Sequence, residues 1–224
     1  MENILSLLST CIERGKENKQ SPYPADLKDM DGALELTKKA LMLDFAPTEI
    51  LQKGMTAGMQ AIGEKFSKGE AFIPELLISA KAMYAAMSVL KPFFDSGEVE
   101  QKGTIILGTV AGDLHDIGKN IVRMVLEGDG WKVIDLGVDV TTDKFISTLE
   151  ENPQSFVGMS ALLTTTMMYM EKSVQEIKNE YCGTKIFVGG APLTREFSDK
   201  IGADGFFSEP HSFVKYLNNF IESK

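Results

Sequence analysis

The chain changes its hydrophobic period once, near residue 100, and that change restricts the fold more than any other feature. Up to about residue 95 the apolar positions recur at helical spacing. Met30, Ala33, Leu34, Leu36, Ala40, Leu41 and Leu43 make one stripe, which predicts a helix over 29–43. Pro47, followed by Thr48 and Glu49, reads as a helix start, and Ile50, Leu51, Met55, Met59, Ile62 and Phe66 continue from it. Pro74 opens a last helix through Leu77, Ala80, Met83, Met87 and Leu90. Residues 19–24 and 67–70 read as loops, and such short connections predict an antiparallel bundle of about four helices.

From Gly103 onward, short apolar runs begin at Thr104, Lys132, Phe156 and Lys185, with a weaker one at Gly205. Helical stretches lie between and after them, over 117–127, 142–149, 166–181, 195–200 and 212–221. Strands that alternate with helices predict a parallel sheet covered on both faces. Five such units fit the flavodoxin-like strand order 2-1-3-4-5. The expected fold is therefore α/β: an N-terminal four-helix bundle, then a flavodoxin-like (Rossmann-like) five-stranded parallel sheet. The expected domains are 1–92 and 103–224, joined by a charged, glycine-containing linker over 93–102.

Composition narrows the function classes. Lys and Arg total 23 against 32 Asp and Glu, a formal net charge of −9. An acidic surface argues against nucleic acid as the main partner. The N-terminus lacks the basic start and cleavage site of a signal peptide, and no run approaches the ~18 consecutive apolar residues of a membrane span. A cytoplasmic protein is expected, with no membrane partner. Cys11 and Cys182 form no CxxC pair and read as reduced, partly buried thiols.

In an open parallel sheet, ligands bind beyond the carboxyl ends of the strands. Three segments fall there: Gly112-Asp113-Leu114-His115-Asp116 with Gly118 after the first strand, Ser160 with Leu162 and Thr164 after the third, and Gly189-Gly190 after the fourth. An imidazole such as His115 can serve as a base, a metal ligand or a solvated side chain. The chain has 2 histidines, so His and Cys cannot assemble a zinc-type cluster. One histidine suffices where a macrocycle supplies the other metal bonds, as in haem. Asp113 can then hold the far ring nitrogen and fix the tautomer.

The segments run Asp113-x-His115-x-x-Gly118, then 41 residues, Ser160-x-Leu162, then 26 residues, Gly189-Gly190. This spacing resembles the signature of the cobalamin-binding domains that hold vitamin B12 base-off, with a histidine on cobalt. In the helical half, the run from Gly63 to Leu76 resembles the cap of methionine synthase and of the corrinoid proteins of anaerobic methyltransferase systems. Nearly the whole chain is covered, and it resembles the free-standing corrinoid proteins used with methanol, methylamine or methoxyl-compound methyltransferases.

The resemblance implies a corrinoid cofactor with His115 as the lower axial ligand to cobalt. Asp113 would hydrogen-bond its far nitrogen, and Ser160 would extend that relay. Gly118, Gly189 and Gly190 would leave room for the displaced nucleotide tail, Leu162 would line its channel, and Thr164 would hydrogen-bond near the corrin. Gly112, Leu114 and Asp116 would complete the histidine loop. Phe66, Ile73 and Leu76 would cover the methyl group from the cap, which would move aside at each transfer by a hinge at the linker. Protonation of the His115–Asp113 pair would weaken the ligand and favour reduced cobalt. The chain alone would not be catalytic. It would carry a methyl group, in one-carbon metabolism, from a substrate:corrinoid methyltransferase to a second methyltransferase with a tetrahydrofolate-type or thiol acceptor, and a reductive activator would restore oxidised cobalt. The alternatives are a small subunit of an adenosylcobalamin-dependent mutase, a corrinoid-based sensor, or a flavodoxin-like module for another ligand.

Overall fold

A computed structural model describes residues 4–96 and 100–223. The chain divides into two compact units, Met1–Gln101 with Glu127–Gly130, and Lys102–Leu126 with Trp131–Lys224.

The first unit is helical. Helix α1 (Ile4–Glu13) buries Leu5, Leu8, Cys11 and Ile12, the spacing of a single helical face. Helix α2 (Ala33–Met42) begins four residues later than the apolar stripe predicts. Asp29 has a φ of 62° and Gly32 is extended, so the backbone cannot be helical before Ala33. Glu35 closes that helix start, because its Oε2 accepts from the Gly32 N–H at 2.9 Å. The stripe after Pro47 is α3 (Pro47–Glu49), a π-helical stretch (Ile50–Thr56) and α4 (Ala57–Ser67), which follow without interruption. This rod packs closely on α1. A Cβ on Gly58 would stand 2.6 Å from Ser9 O and 2.8 Å from Ile12 Cβ, so only glycine permits the approach.

Helix α5 (Ile73–Asp95) starts with Pro74 in its first turn. It runs through residues 93–95, which the sequence assigns to the linker; residues 97–99 of that stretch lie outside the described residues. Its segment Ile73–Phe94, with a mean hydropathy of 1.3, is long and apolar enough by composition to cross a membrane. Here Leu76, Ala80, Met83, Ala86 and Leu90 are buried, and α5 packs on α1, α2 and α4. Ser79 Oγ donates to Ile12 O at 2.6 Å and ties it to α1. Cys11 is buried, which pushes its thiol up to about 11, whereas Cys182 is exposed rather than partly buried.

The second unit is a five-stranded parallel sheet in the order β2-β1-β3-β4-β5. Its strands are β1 (Thr104–Thr109), β2 (Lys132–Asp135), β3 (Phe156–Ser160), β4 (Ile186–Gly189) and β5 (Gly205–Phe206). Helices α6 (Ile117–Gly128), α7 (Thr142–Glu151), α8 (Met167–Glu180), α9 (Arg195–Ile201) and α10 (Pro210–Glu222) alternate with them. The inner strands are near-continuous apolar runs because helices cover both faces. Ile106, Val157 and Val188 of neighbouring strands share one core with Phe145 and Leu149 of α7 and with Met170 and Val174 of α8. Helix α10 begins at Pro210, two residues before the expected start, since proline is well placed in a first turn. The register sets the site: Thr109 pairs with Ser160 and Ser160 with Gly189, so three strand ends align at one edge.

Candidate functional site

Just beyond that edge, the loop from β1 to α6 presents Asp113 and His115. Asp113 is fully buried, while the side chain of His115 is 51% exposed. Asp113 Oδ1 accepts from His115 Nδ1 at 2.7 Å and from the His115 backbone N–H at 3.1 Å. Its Oδ2 accepts from the N–H groups of Leu162 and Leu163, at 2.7 and 3.2 Å. Thr166 Oγ1 lies 2.9 Å from the same oxygen and 2.8 Å from Leu163 O, so its single proton is shared between two acceptors.

Burial alone would raise the Asp113 carboxyl. The donors at Leu162, His115 and Thr166 outweigh it and hold the group well below the ordinary carboxylate range. An ionised carboxylate only accepts, so the proton between it and the ring sits on His115 Nδ1. In the neutral ring the lone pair is then on Nε2, which has no hydrogen-bond partner among the described residues. The site therefore offers one oriented nitrogen donor, backed by a charge.

The structure brings the three predicted segments together. No hydrogen bond joins Ser160 to Asp113 among the described residues, and the Ser160 backbone O accepts from Val110 N at 3.0 Å. The hydroxyl that reaches Asp113 is that of Thr166, six positions further on, because the chain turns after β3 and brings the start of α8 back over Asp113. The run Thr164-Thr165-Thr166 signalled hydroxyls near the site, but spacing alone could not select among them. Thr164 is exposed, as are Asp116 and Leu162. Gly190 is demanded by the fold itself, since a Cβ there would stand 1.8 Å from Ala161 O. Gly189 faces Phe207 O, 3.0 Å from where a Cβ would be. A Cβ on Gly118 would meet nothing within 4 Å, which leaves open space beside the histidine loop. Sequence reasoning also missed Thr109, whose buried hydroxyl donates to His115 O at 3.0 Å. In the helical unit, Phe66 is half-buried, Ile73 exposed and Leu76 buried.

Four large apolar side chains are exposed on these loops: Leu114 and Ile117 beside His115, and Leu162 and Leu163 after β3. Exposed apolar surface at a ligand edge fits a broad organic partner. No group of three or more potential metal ligands occurs among the described residues. One free imidazole nitrogen with an apolar surround suits a metal that arrives inside a macrocycle.

Known proteins agree with that donor set. Residues 103–213 match the family described as B12 binding domain, and residues 29–91 match a second family of the same description. The trimethylamine corrinoid protein 1 of Methanosarcina acetivorans is 41% identical over 180 residues, 79% of this chain and 83% of that protein. The chain belongs to the B12-binding corrinoid proteins. Its cofactor is a cobalamin-type corrinoid. Among solved structures, a cobalamin-binding protein from Desulfitobacterium hafniense is similar at TM-score 0.74 and 31% identity, over 96% of this chain and 98% of that one. The methanol:cobalamin methyltransferase complex of Methanosarcina barkeri matches at TM-score 0.81 and 26% identity, over 100% of this chain and 81% of that one.

Proposed function

We propose that this corrinoid protein carries a methyl group between two methyltransferases, with His115 as the lower axial ligand of the cofactor. The observation that carries the reading is the imidazole anchored through Nδ1 on Asp113, whose Nε2 has no hydrogen-bond partner among the described residues. When bound, the corrinoid supplies a cobalt that can accept and release a methyl group. The chain's own residues hold and orient it. His115 offers the Nε2 lone pair, Asp113 fixes the ring and keeps the proton on Nδ1, and Thr166 with the Leu162 and Leu163 amides fixes Asp113. Gly118 leaves space for the displaced tail, Leu162 lines it, and Gly112, Leu114 and Asp116 shape the loop. Gly189, Gly190, Ser160 and Thr164 complete the edge of the cradle. By likeness to the family, Phe66, Ile73 and Leu76 of the helical unit would be the residues that cover the methyl group.

The reading assigns the chain a substrate:corrinoid methyltransferase that loads it and a methylcorrinoid:acceptor methyltransferase that unloads it, to a tetrahydrofolate-type or thiol acceptor. A reductive activator rescues oxidised cobalt, and all of this takes place in the cytoplasm. Relatives from trimethylamine and dimethylamine systems support a small amine as the methyl source. The test is a difference spectrum. The reduced, corrinoid-loaded protein is mixed with an amine-specific methyltransferase and trimethylamine, then with methanol and its own methyltransferase. Conversion to the methylated spectrum with either pair supports the carrier role. No conversion with any methylating partner, in a protein that binds the corrinoid, overturns it.

A further inference from the structure

Asp139 lies in the loop between β2 and α7, outside the three segments that carry the histidine and the glycines. Its φ is 54°, a conformation that side-chain-bearing residues rarely adopt and that Asp and Asn tolerate best. That conformation has a visible result. The Asp139 N–H donates to Asp113 O at 3.0 Å, while its Oδ1 accepts from the Gly112 N–H at 2.7 Å. One residue thus grips both polar groups that bracket the Gly112–Asp113 pair. Gly112, at φ 78°, turns its N–H outward to meet the carboxylate.

The grip is anchored in the sheet. Thr109 N donates to Gly137 O at 3.0 Å, and Val140 N donates to Thr109 O at 2.9 Å. The loop that carries Asp139 is therefore bonded on both sides to the end of β1. Thr109 completes the hold through its hydroxyl, which reaches His115 O. Outliers of this kind concentrate where geometry must be fixed. Here the fixed object is the backbone of the residue whose carboxylate orients the imidazole.

We propose that Asp139 is a positioning residue for the axial imidazole. By clasping Gly112 and Asp113 it sets the direction of the Asp113 carboxylate, and through it that of His115 Nε2. The proposal rests on the reading of His115 as the cobalt ligand. Among the described residues the Asp139 carboxylate bonds no strand residue, so its removal should leave the sheet intact.

The experiment uses the full chain as wild type, Asp139→Gly and Asp139→Asn. Glycine keeps the positive φ without strain and removes the acceptor, whereas asparagine keeps both the φ and an Oδ1 acceptor. In the corrinoid-free protein, exchange of the Gly112 amide should accelerate about tenfold in Asp139→Gly, the loss of one hydrogen bond. The amides of Ile105 and Val157 should not change. With cob(II)alamin bound, the electron paramagnetic resonance signal should show axial-nitrogen splitting in wild type and Asp139→Asn, and a clear loss of it in Asp139→Gly. Full splitting in Asp139→Gly overturns the proposal, whether or not the Gly112 amide exchanges faster. Absence of splitting in wild type overturns the His115 assignment instead, so the two failures are distinct.

Discussion

Two carboxylates stand at opposite ends of the same sheet and are held in opposite ways. Asp204, just before β5, accepts from Lys178 and from Lys185 at 2.8 Å, and from the Ile186 N–H at 2.8 Å. Asp113, beyond β1, has no lysine or arginine partner among the described hydrogen bonds; its donors are amides, a hydroxyl and an imidazole. In both, burial raises the carboxyl and hydrogen bonds overcome it, so both lie below the ordinary range. At Asp204, two cations neutralise the charge, and the result is a brace between α8, β4 and β5. At Asp113 neutral dipoles hold the charge without cancelling it, so it still acts on the imidazole. Asp135 follows the first pattern, with Lys119 at 2.6 Å and Arg123 at 2.8 Å. A carboxylate without a cation, aimed at a half-exposed ring, is the exception, and it marks the functional end of the sheet.

That contrast is open to attack by substitution. The largest effect is expected for Asp113→Leu, which leaves the part-buried amides of His115, Leu162 and Leu163 without that acceptor. It should cost the corrinoid-free protein about 3–5 kcal/mol by urea unfolding and abolish histidine ligation in the loaded protein. Asp204→Asn should cost about 1–3 kcal/mol and leave the corrinoid spectrum unchanged, because its role is confined to the brace. A changed spectrum there would break the division between the two ends. Thr166→Val should cost about 1–2 kcal/mol, and Thr166→Ser should recover most of it. Ser160→Ala should change stability by less than about 0.5 kcal/mol, since no hydrogen bond joins it to Asp113 among the described residues.

Acid sharpens the same comparison. Both carboxyls are depressed in the folded state from a reference of 3.8. Their contributions are complete above that reference and are lost as pH falls through the lower folded values. Stability should therefore decline from about pH 4 downward. Moderate salt at neutral pH should reduce the Asp204 contribution, which is an ion pair at partial exposure, and spare that of Asp113. Equal salt sensitivity of Asp113→Leu and Asp204→Asn, measured as differences from wild type, would contradict the distinction.

The fold was legible because it rests on periodicity. The apolar runs at Thr104, Lys132, Phe156 and Lys185 became β1 to β4, in the expected order. The helix edges were less so. Asp29 and Gly32 cut the stripe before Ala33 through backbone conformation, which an apolar count does not register. In the site, His115 and Asp113 were legible because they lie two positions apart in the chain and meet directly in space. Thr166 was not, because its role depends on how the chain turns between β3 and α8. Asp139 was invisible for the same reason: its partners Gly112 and Asp113 lie 27 and 26 positions away, and only the β1–β2 register joins them.

The central claim is that a charge-backed imidazole on His115 is the axial ligand. Its most direct test is the visible spectrum of the full chain loaded with methylcobalamin, wild type beside His115→Gly, before and after addition of free imidazole. The account predicts a nitrogen-ligated spectrum in wild type, its loss in His115→Gly with the corrinoid still bound, and its return with imidazole. A His115→Gly protein that binds the corrinoid with the wild-type spectrum would contradict it.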